Sequence, residues 1–336
     1  METMQPIITM DYGSGGLRTA ELIDEILLPA FGNAALNDLG DGAVLPDLGG
    51  QPVFSTDSFV VTPWKFPGGD IGKLAVCGTV NDLCMAGARP LYLSLSLILE
   101  EGLPTDVLRT VVDSIARTAR EAGVQIVTGD TKVVERGGAD GLYINTAGIG
   151  VLRAPGLGRK ALQPGDAVLV SGSVGCHGAA VMMARGELPM EGNLSSDCRP
   201  LHELSAAALA AGGVHLMRDP TRGGVATTLN EFVEDGSLCI DLEEDAIPVD
   251  VAVSAACDLL GLDPLYAACE GRMLAVTASE SADAVLAALR ALPGGEGACR
   301  IGTVGTERPG KVVLHTPLGG SRILGKLTGA QLPRIC

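Results

Sequence analysis

The chain has 336 residues, long enough for two domains with separate cores, and its 46% hydrophobic and 19% charged residues give a globular balance. A formal charge of −16 with no basic cluster argues against nucleic acid, since such a chain gains nothing from counterion release, and 3% aromatic residues leave few rings for base stacking. Net charge does not exclude a nucleotide, which needs only local amide donors, a cation and Mg2+. The 9 cysteines form no CxxC pair, and the 4 histidines show no zinc-ligand spacing. The start METMQPIITM lacks the basic and apolar regions of a secretion signal, and no run of about 18 apolar residues suits a membrane span. A reducing cytoplasm and no membrane association are therefore expected.

Residues 1–16 read as an irregular arm ending in Gly13-Ser14-Gly15-Gly16. Leu17, Ile23, Ile26, Leu27 and Ala30 fall near helical spacing, predicting a helix over 17–31. AVLPDL and PVFSTDSFV read as short strands broken at Gly49-Gly50. A Pro/Gly loop then precedes an apolar helix over 71–86. From Leu91 to Leu99 leucine takes every odd position, a strand with two distinct faces. Pro104 opens a helix to Ala122, VQIVTGD reads as a strand entering a turn, and LYINTAGIGVL as another strand. The second half restarts with a turn at Pro164-Gly165-Asp166 and the strand AVLVSG. Helices follow near 175–185, 200–212, 222–234, 250–260 and 280–291, and strands near 237–242, 272–278, 299–305 and 311–315. Mixed elements in both halves predict two α+β domains. LTGAQLPRIC at the end reads as a mobile tail.

Four aspartates sit beside turn glycines or at element ends: Asp41 in LGDGAV, Asp57 in STDSF, Asp82 in VNDL and Asp130 in TGDTK. Carboxylates so placed suit Mg2+ together with phosphates, although Asp beside Gly also makes ordinary turns. Asp82 stands apart, because it lies with Asn81 inside an otherwise apolar helix. Gly13-Ser14-Gly15-Gly16 before a helix offers backbone N–H groups to phosphate, or is a plain flexible loop. It is not a Walker A motif, and no dinucleotide fingerprint occurs. Asp219-Pro220-Thr221-Arg222-Gly223-Gly224 places an arginine at a helix start, suited to phosphate or carboxylate. Glu270 lies on a turn before a strand.

Cys336 is the last residue, preceded by Pro333, Arg334 and Ile335. Its thiolate is the nucleophilic form; Arg334 is expected to favour it and the terminal carboxylate to oppose it. The stretch from Leu327 spans at most about 33–36 Å when extended, enough to visit two sites. The other cysteines read as small core residues, Cys77 and Cys84 on one helix among them.

The segments STDSFVVTP, FPGGDIGKLAVCGTVNDL, GARPLYLSLSLILEEGLP, IVTGDTKVV, INTAGIG, MRDPTRGG, GLDPLY and LPRIC resemble the HypE family of carbamoyl dehydratases. That family lies within the PurM-like superfamily of aminoimidazole ribonucleotide synthetase, selenophosphate synthetase and thiamine-monophosphate kinase. The resemblance runs nearly end to end. It implies a PurM-like α+β fold: an arm and first helix (1–43), an ATP-binding dimerisation domain (44–155) whose sheet pairs with its twin, a C-terminal α+β domain (156–320) and a mobile tail (321–336). A carbamoyltransferase, HypF, is implied to load Cys336 with a carbamoyl group. ATP-dependent dehydration then yields a thiocyanate, whose cyano group passes through a HypC–HypD scaffold to the iron of a [NiFe] hydrogenase precursor. Asp41, Asp57, Asp82 and Asp130 are implied to hold Mg2+ and the triphosphate, with Gly15, Gly16 and Arg222 on the nucleotide. Lys132 offsets phosphate charge and Glu270 is the candidate general base. Two departures stand out. Gly40-Asp41 replaces a frequent aspartate pair, and Gly175-Cys176-His177-Gly178 replaces Gly-Asp-His-Gly. The rival expectations are a related ATP-dependent enzyme acting on a free small molecule, indifferent to Cys336, and a carrier that shuttles a modified cysteine without hydrolysing ATP.

Overall fold

The computed structural model describes residues 6–186, 194–327, 329 and 334–336. The first half is built on β1 (Pro52–Phe59), β4 (Ala88–Glu100), β5 (Gln125–Val134) and β6 (Leu142–Leu152), in the order β1-β6-β4-β5. Only β4 and β5 run parallel. A small ribbon of β2 (Lys65–Phe66) and β3 (Gly69–Asp70) leads into α3 (Ile71–Met85), after the short N-terminal α1 (Leu17–Leu22) and α2 (Leu28–Phe31). Asp70 caps α3, its carboxylate accepting the Lys73 N–H at 2.9 Å. α3 is apolar nearly all round, as an interior helix must be. It lies on β1, β4 and β6 and is covered by α4 (Thr105–Glu121) and by elements of the second half. Asn81 and Asp82 are thus polar groups inside a buried element and need partners.

The second half carries seven strands: β7 (Ala167–Val170), β8 (Val214–Arg218), β9 (Cys239–Glu243), β10 (Leu274–Thr277), β11 (Cys299–Gly305), β12 (Val312–His315) and β13 (Ser321–Leu324). Their order is β13-β12-β9-β11-β7-β10-β8. Helices α5 (Cys176–Ala184), α6 (His202–Ala211), α7 (Gly224–Phe232), α8 (Val251–Leu260) and α9 (Ala282–Arg290) surround it. Strand alternation sends Ala167, Leu169 and Ala275 to a core with Leu204 and Val285, continuous with that of the first half. Val168, Val170 and Val276 face a second core with Val225, Leu229 and Phe232 of α7. All nine cysteines are free thiols, and no helix among the described residues is long and apolar enough to cross a membrane.

The two mixed α/β units match the sequence expectation; several details differ. AVLPDL forms no strand: Pro46 lacks a donor and Val44 is exposed. The helix over 17–31 is one helical stretch with a π turn at Ile23–Leu27, just before Pro29. TGD is not a turn, since β5 runs on through Asp130 to Val134. Gly129 serves close backbone approach there, as a Cβ would stand 2.4 Å from the Leu95 carbonyl oxygen. The edge strands β8 and β13 are absent from the sequence expectation. The second falls within residues 321–336, read as tail.

Candidate active site

Two regions gather the predicted residues. The first is a cavity of about 350 Å³ between the arm, α1, α2 and β5. Its buried walls include Phe31, Leu95, Leu97 and Ile126, and its exposed rim includes Gly15, Gly40, Gly42, Asp130 and Lys132. An apolar interior with a rim of glycines and charges suits a ligand with a flat ring and a polyanionic end. Lys132 Nζ donates to both carboxylate oxygens of Asp130, at 2.6 and 2.7 Å, and holds the Asp130 carboxyl below its ordinary range. Gly15 N–H already meets Thr19 Oγ1 at 3.0 Å. Gly16 opens α1, and Asp41 flanks the rim without lining the cavity.

The second region lies where β1 and α3 meet the loops of the second half. Ser55 and Asp57 share one face of β1, while Gly78 and Asp82 lie one turn apart on α3. A Cβ on Gly78 would stand 3.7 Å from Asp57 Oδ2, and Ser55 Oγ donates to Asp82 Oδ2 at 2.7 Å. Burial pushes the Asp82 carboxyl up, Ser55 opposing this and Asp57 adding to it. Arg218 and Arg222 provide countercharge. Asp219, only 6% exposed, is pushed to about 7, by burial and then by Asp82.

That shift carries a stability consequence. The folded chain retains a proton on Asp219 that the unfolded chain, with a value near 3.8, releases. The group's contribution is therefore full below the unfolded value and lost as pH rises to about 7. Asp219→Asn is expected to stabilise the metal-free protein at pH ~8, by up to about 4 kcal/mol, with the gain shrinking towards pH ~4. Urea melts at both pH values check this, and an equal gain at both would refute it.

Glu270 and Cys336 complete the region. Glu270 is 2% exposed, and its Oε1 has no hydrogen-bond partner among the described residues. Burial holds its carboxyl well above the ordinary range, with Cys198, Asp219, Asp197 and Asp57 adding to the effect. The Cys336 thiol is pushed to about 12 by burial and then by Glu270, which Arg222 partly offsets. The end of the chain is seated. Ile335 is 4% exposed, and its carbonyl accepts from His177 Nε2 at 2.7 Å. Val60 N–H donates to the Cys336 carbonyl oxygen at 3.1 Å. Arg185 donates to the carbonyls of Thr62 and Arg334. The Arg334 guanidinium pairs with Asp140 and lies 5.8 Å from the Tyr143 ring centroid. Arg334 therefore does not favour the thiolate as the sequence suggests, because its charge is turned to Asp140 while burial dominates at the thiol. His177, Arg185, Asp140 and Tyr143 escaped the sequence reading; only His177 lay in a noted motif.

The sheet register separates the four aspartates. Ser58, Asn145, Ser96 and Asp130 form one row; Asp57, Thr146, Leu95 and Gly129 form the next. Directly paired residues share a face, so Asp130 and Asp57 project from opposite faces. Thr146 Oγ1 meets Thr79 Oγ1 of α3 at 2.6 Å, which marks the Asp57 row as the helix-covered face. Among the described residues no three His, Cys, Asp or Glu side chains form a metal-binding set. Within the chain Asp57 and Asp82 are neighbours, while Asp130 projects from the other face of the sheet and Asp41 flanks the cavity rim. On the open face Phe54 is 67% and Ile98 40% exposed.

Residues 39–152 match the AIR synthase related protein N-terminal domain, and residues 163–315 match the C-terminal domain of the same family. The chain is 51% identical to the carbamoyl dehydratase HypE of Rhizobium leguminosarum bv. viciae, over 98% of this chain and 95% of that protein. It superposes on the crystal structure of the hydrogenase maturation protein HypE in complex with ATP with a TM-score of 0.94, at 49% identity, over 98% and 99% of the two chains. A HypE–HypF complex structure matches with a TM-score of 0.79, at 44% identity, over 91% of this chain and 99% of that one.

Proposed function

The chain belongs to the AIR synthase related family, in its branch of HypE carbamoyl dehydratases, and from that premise we propose how its residues carry out ATP-dependent dehydration of a carbamoyl group on Cys336. The observation that supports this most is the seat of the chain end, which sets Cys336 among Glu270, Arg222 and Asp57.

The amide oxygen of a thiocarbamate is a poor leaving group. Transfer of the ATP γ-phosphoryl to that oxygen makes it a phosphate ester. Loss of both nitrogen protons then breaks the C–O bond, leaving S–C≡N, ADP and inorganic phosphate. Glu270 accepts one of these protons and the departing phosphate carries away the other; the unpartnered Oε1 and raised proton affinity of Glu270 suit a base in a water-poor site. Arg222 faces the developing phosphate charge. The cavity takes the base of ATP, with the Gly15–Gly16 turn and Lys132 towards the phosphates. Lys132, Ile98 and Tyr143 form one row across the sheet, two strand spacings or about 10 Å from end to end, so the cavity rim lies within a triphosphate's reach of the tail anchor. Asp57 and Asp82, neighbours on β1 and α3, would hold Mg2+, which would offset the mutual repulsion that Arg218 and Arg222 only partly relieve. The open sheet face with Phe54 and Ile98 is the homodimer surface. HypF loads Cys336, and a HypC–HypD scaffold receives the cyano group. With all its cysteines free, the protein works in the reducing cytoplasm.

The test combines the purified chain with its carbamoyltransferase, carbamoyl phosphate and Mg-ATP, followed by mass spectrometry of the C-terminal peptide. A carbamoyl adduct on Cys336 that loses one water only as ATP is hydrolysed is the expected result. An adduct that never dehydrates would make the chain a carrier. No adduct, with an active transferase, would point to a free small-molecule substrate.

A further inference from the structure

We propose that His177 is a positioning residue for the dehydration, latching the C-terminal peptide so that Cys336 is presented to Glu270. The proposal rests on the reading of Cys336 as the carrier of the carbamoyl group.

His177 is 0% exposed, yet both ring nitrogens are engaged. A carbonyl oxygen only accepts, so the contact of Nε2 with the Ile335 carbonyl at 2.7 Å puts the hydrogen on Nε2. Burial disfavours the charged ring, which leaves Nδ1 as an acceptor for the Ser196 hydroxyl at 2.8 Å. Ser196 Oγ in turn accepts the Cys198 N–H at 3.0 Å. The relay thus has one direction, from the Cys198 amide through Ser196 and His177 to the tail. Its origin is held in place: Ser196 N–H meets the Pro67 carbonyl at 2.8 Å, and Phe66 packs edge-on to the imidazole at 5.2 Å. Gly68 allows this approach, since a Cβ there would stand 2.5 Å from Ser195 Oγ.

The same short segment also holds Glu270. Asp197 Oδ1 accepts the Glu270 N–H at 3.2 Å, and Arg199 N–H donates to the Glu270 carbonyl at 3.4 Å. Asn81, next to Asp82 on α3, ties the segment down by accepting the Leu201 N–H at 2.8 Å and donating to the Arg199 carbonyl at 3.1 Å. Residues 196–199 therefore fix both the proton acceptor and, through His177, the peptide carrying the reacting sulfur. When the tail leaves, the Nε2–H gives up this acceptor, and regaining it on return favours the seated tail.

The experiment uses the full chain carbamoylated at Cys336, as wild type, His177→Phe and His177→Gln. Phenylalanine keeps a ring against Phe66 without the donor; glutamine restores an N–H near the Nε2 position. Single-turnover dehydration after Mg-ATP addition is read by mass, tail seating by the rate at which carboxypeptidase trims Cys336, and fold by the melting temperature. His177→Phe is expected to slow dehydration and speed trimming, each about tenfold or more, with ATP affinity unchanged and glutamine recovering most of both. Unchanged trimming in His177→Phe would overturn the latch. So would equal defects in both variants accompanied by equal losses of melting temperature, which mark a core-packing histidine. Failure of the wild-type chain to dehydrate would overturn the dehydratase reading instead, while the trimming comparison would still report on the latch.

Discussion

Glu270→Gln is expected to slow ATP-dependent loss of water from carbamoylated Cys336 by about 10²–10⁴-fold, the usual contribution of a positioned proton acceptor. The substitution keeps shape and removes only the ability to take a proton. Loading of Cys336 by the carbamoyltransferase should be unaffected, because that step does not pass through Glu270. Nor should the variant misfold. The folded chain binds a proton on Glu270 with an affinity well above the ordinary value of 4.5, so this group's contribution to stability declines as pH rises past that value. A neutral amide is free of that dependence and is expected to be no less stable near pH ~7. The sign of the rate profile follows from the same shift. A base works only when ionised, so dehydration should climb with pH through the raised Glu270 value, well above where an ordinary glutamate titrates. In Glu270→Gln that limb should vanish. Single-turnover rates across pH decide the matter, and a variant with wild-type rate and profile would remove Glu270 from the mechanism.

Local pattern drew attention to Asp82, a carboxylate in an apolar helix, and to Cys336 at the chain end; Asp57, Arg222 and Glu270 read equally as ordinary turn or cap residues, and the family resemblance gave them their roles. The fold then brings them together, and it gathers Gly15, Asp130 and Lys132 at the cavity rim. What the sequence conceals depends on long-range placement. His177 and Ile335 lie 158 positions apart, and no periodicity encodes their bond. Gly129 beside Asp130 carries the signature of a turn, yet its missing side chain makes room for the Leu95 carbonyl in a continuous strand. The opposite facing of Asp57 and Asp130 follows from register, which emerges only once β1, β6, β4 and β5 are in order. Edge strands elude pattern reading for a related reason. Ser321, Arg322 and Ile323 of β13 are exposed, so the strand buries too little to show alternation.

Iodoacetamide is expected to label Cys336 in the intact chain far more slowly than in a free peptide of residues 327–336. The seated thiol is pushed from 9.0 to about 12, so at a given pH below 9 its thiolate is scarcer by about a thousandfold. Two routes to labelling then differ in pH dependence. If the seated thiol reacts directly, the rate should keep rising with pH towards about 12. If labelling passes through chains whose tail has left its seat, the rate should level off near 9, like the peptide, at a height set by the fraction released. The second is the expected outcome. The scarcity of seated thiolate makes the direct route slow, and the partly exposed Arg334–Asp140 pair, worth at most about 1 kcal/mol, adds little to the hydrogen bonds that hold Ile335 and Cys336. Equal rates in chain and peptide would show that the thiol is not seated at all. Levelling near 9 would assign the chemistry to two tail positions. Attack on an electrophile needs the thiolate, which burial suppresses, so with that outcome Cys336 would be loaded when released. The proposed dehydration needs an enclosed site beside Glu270, so it would proceed when the tail is seated.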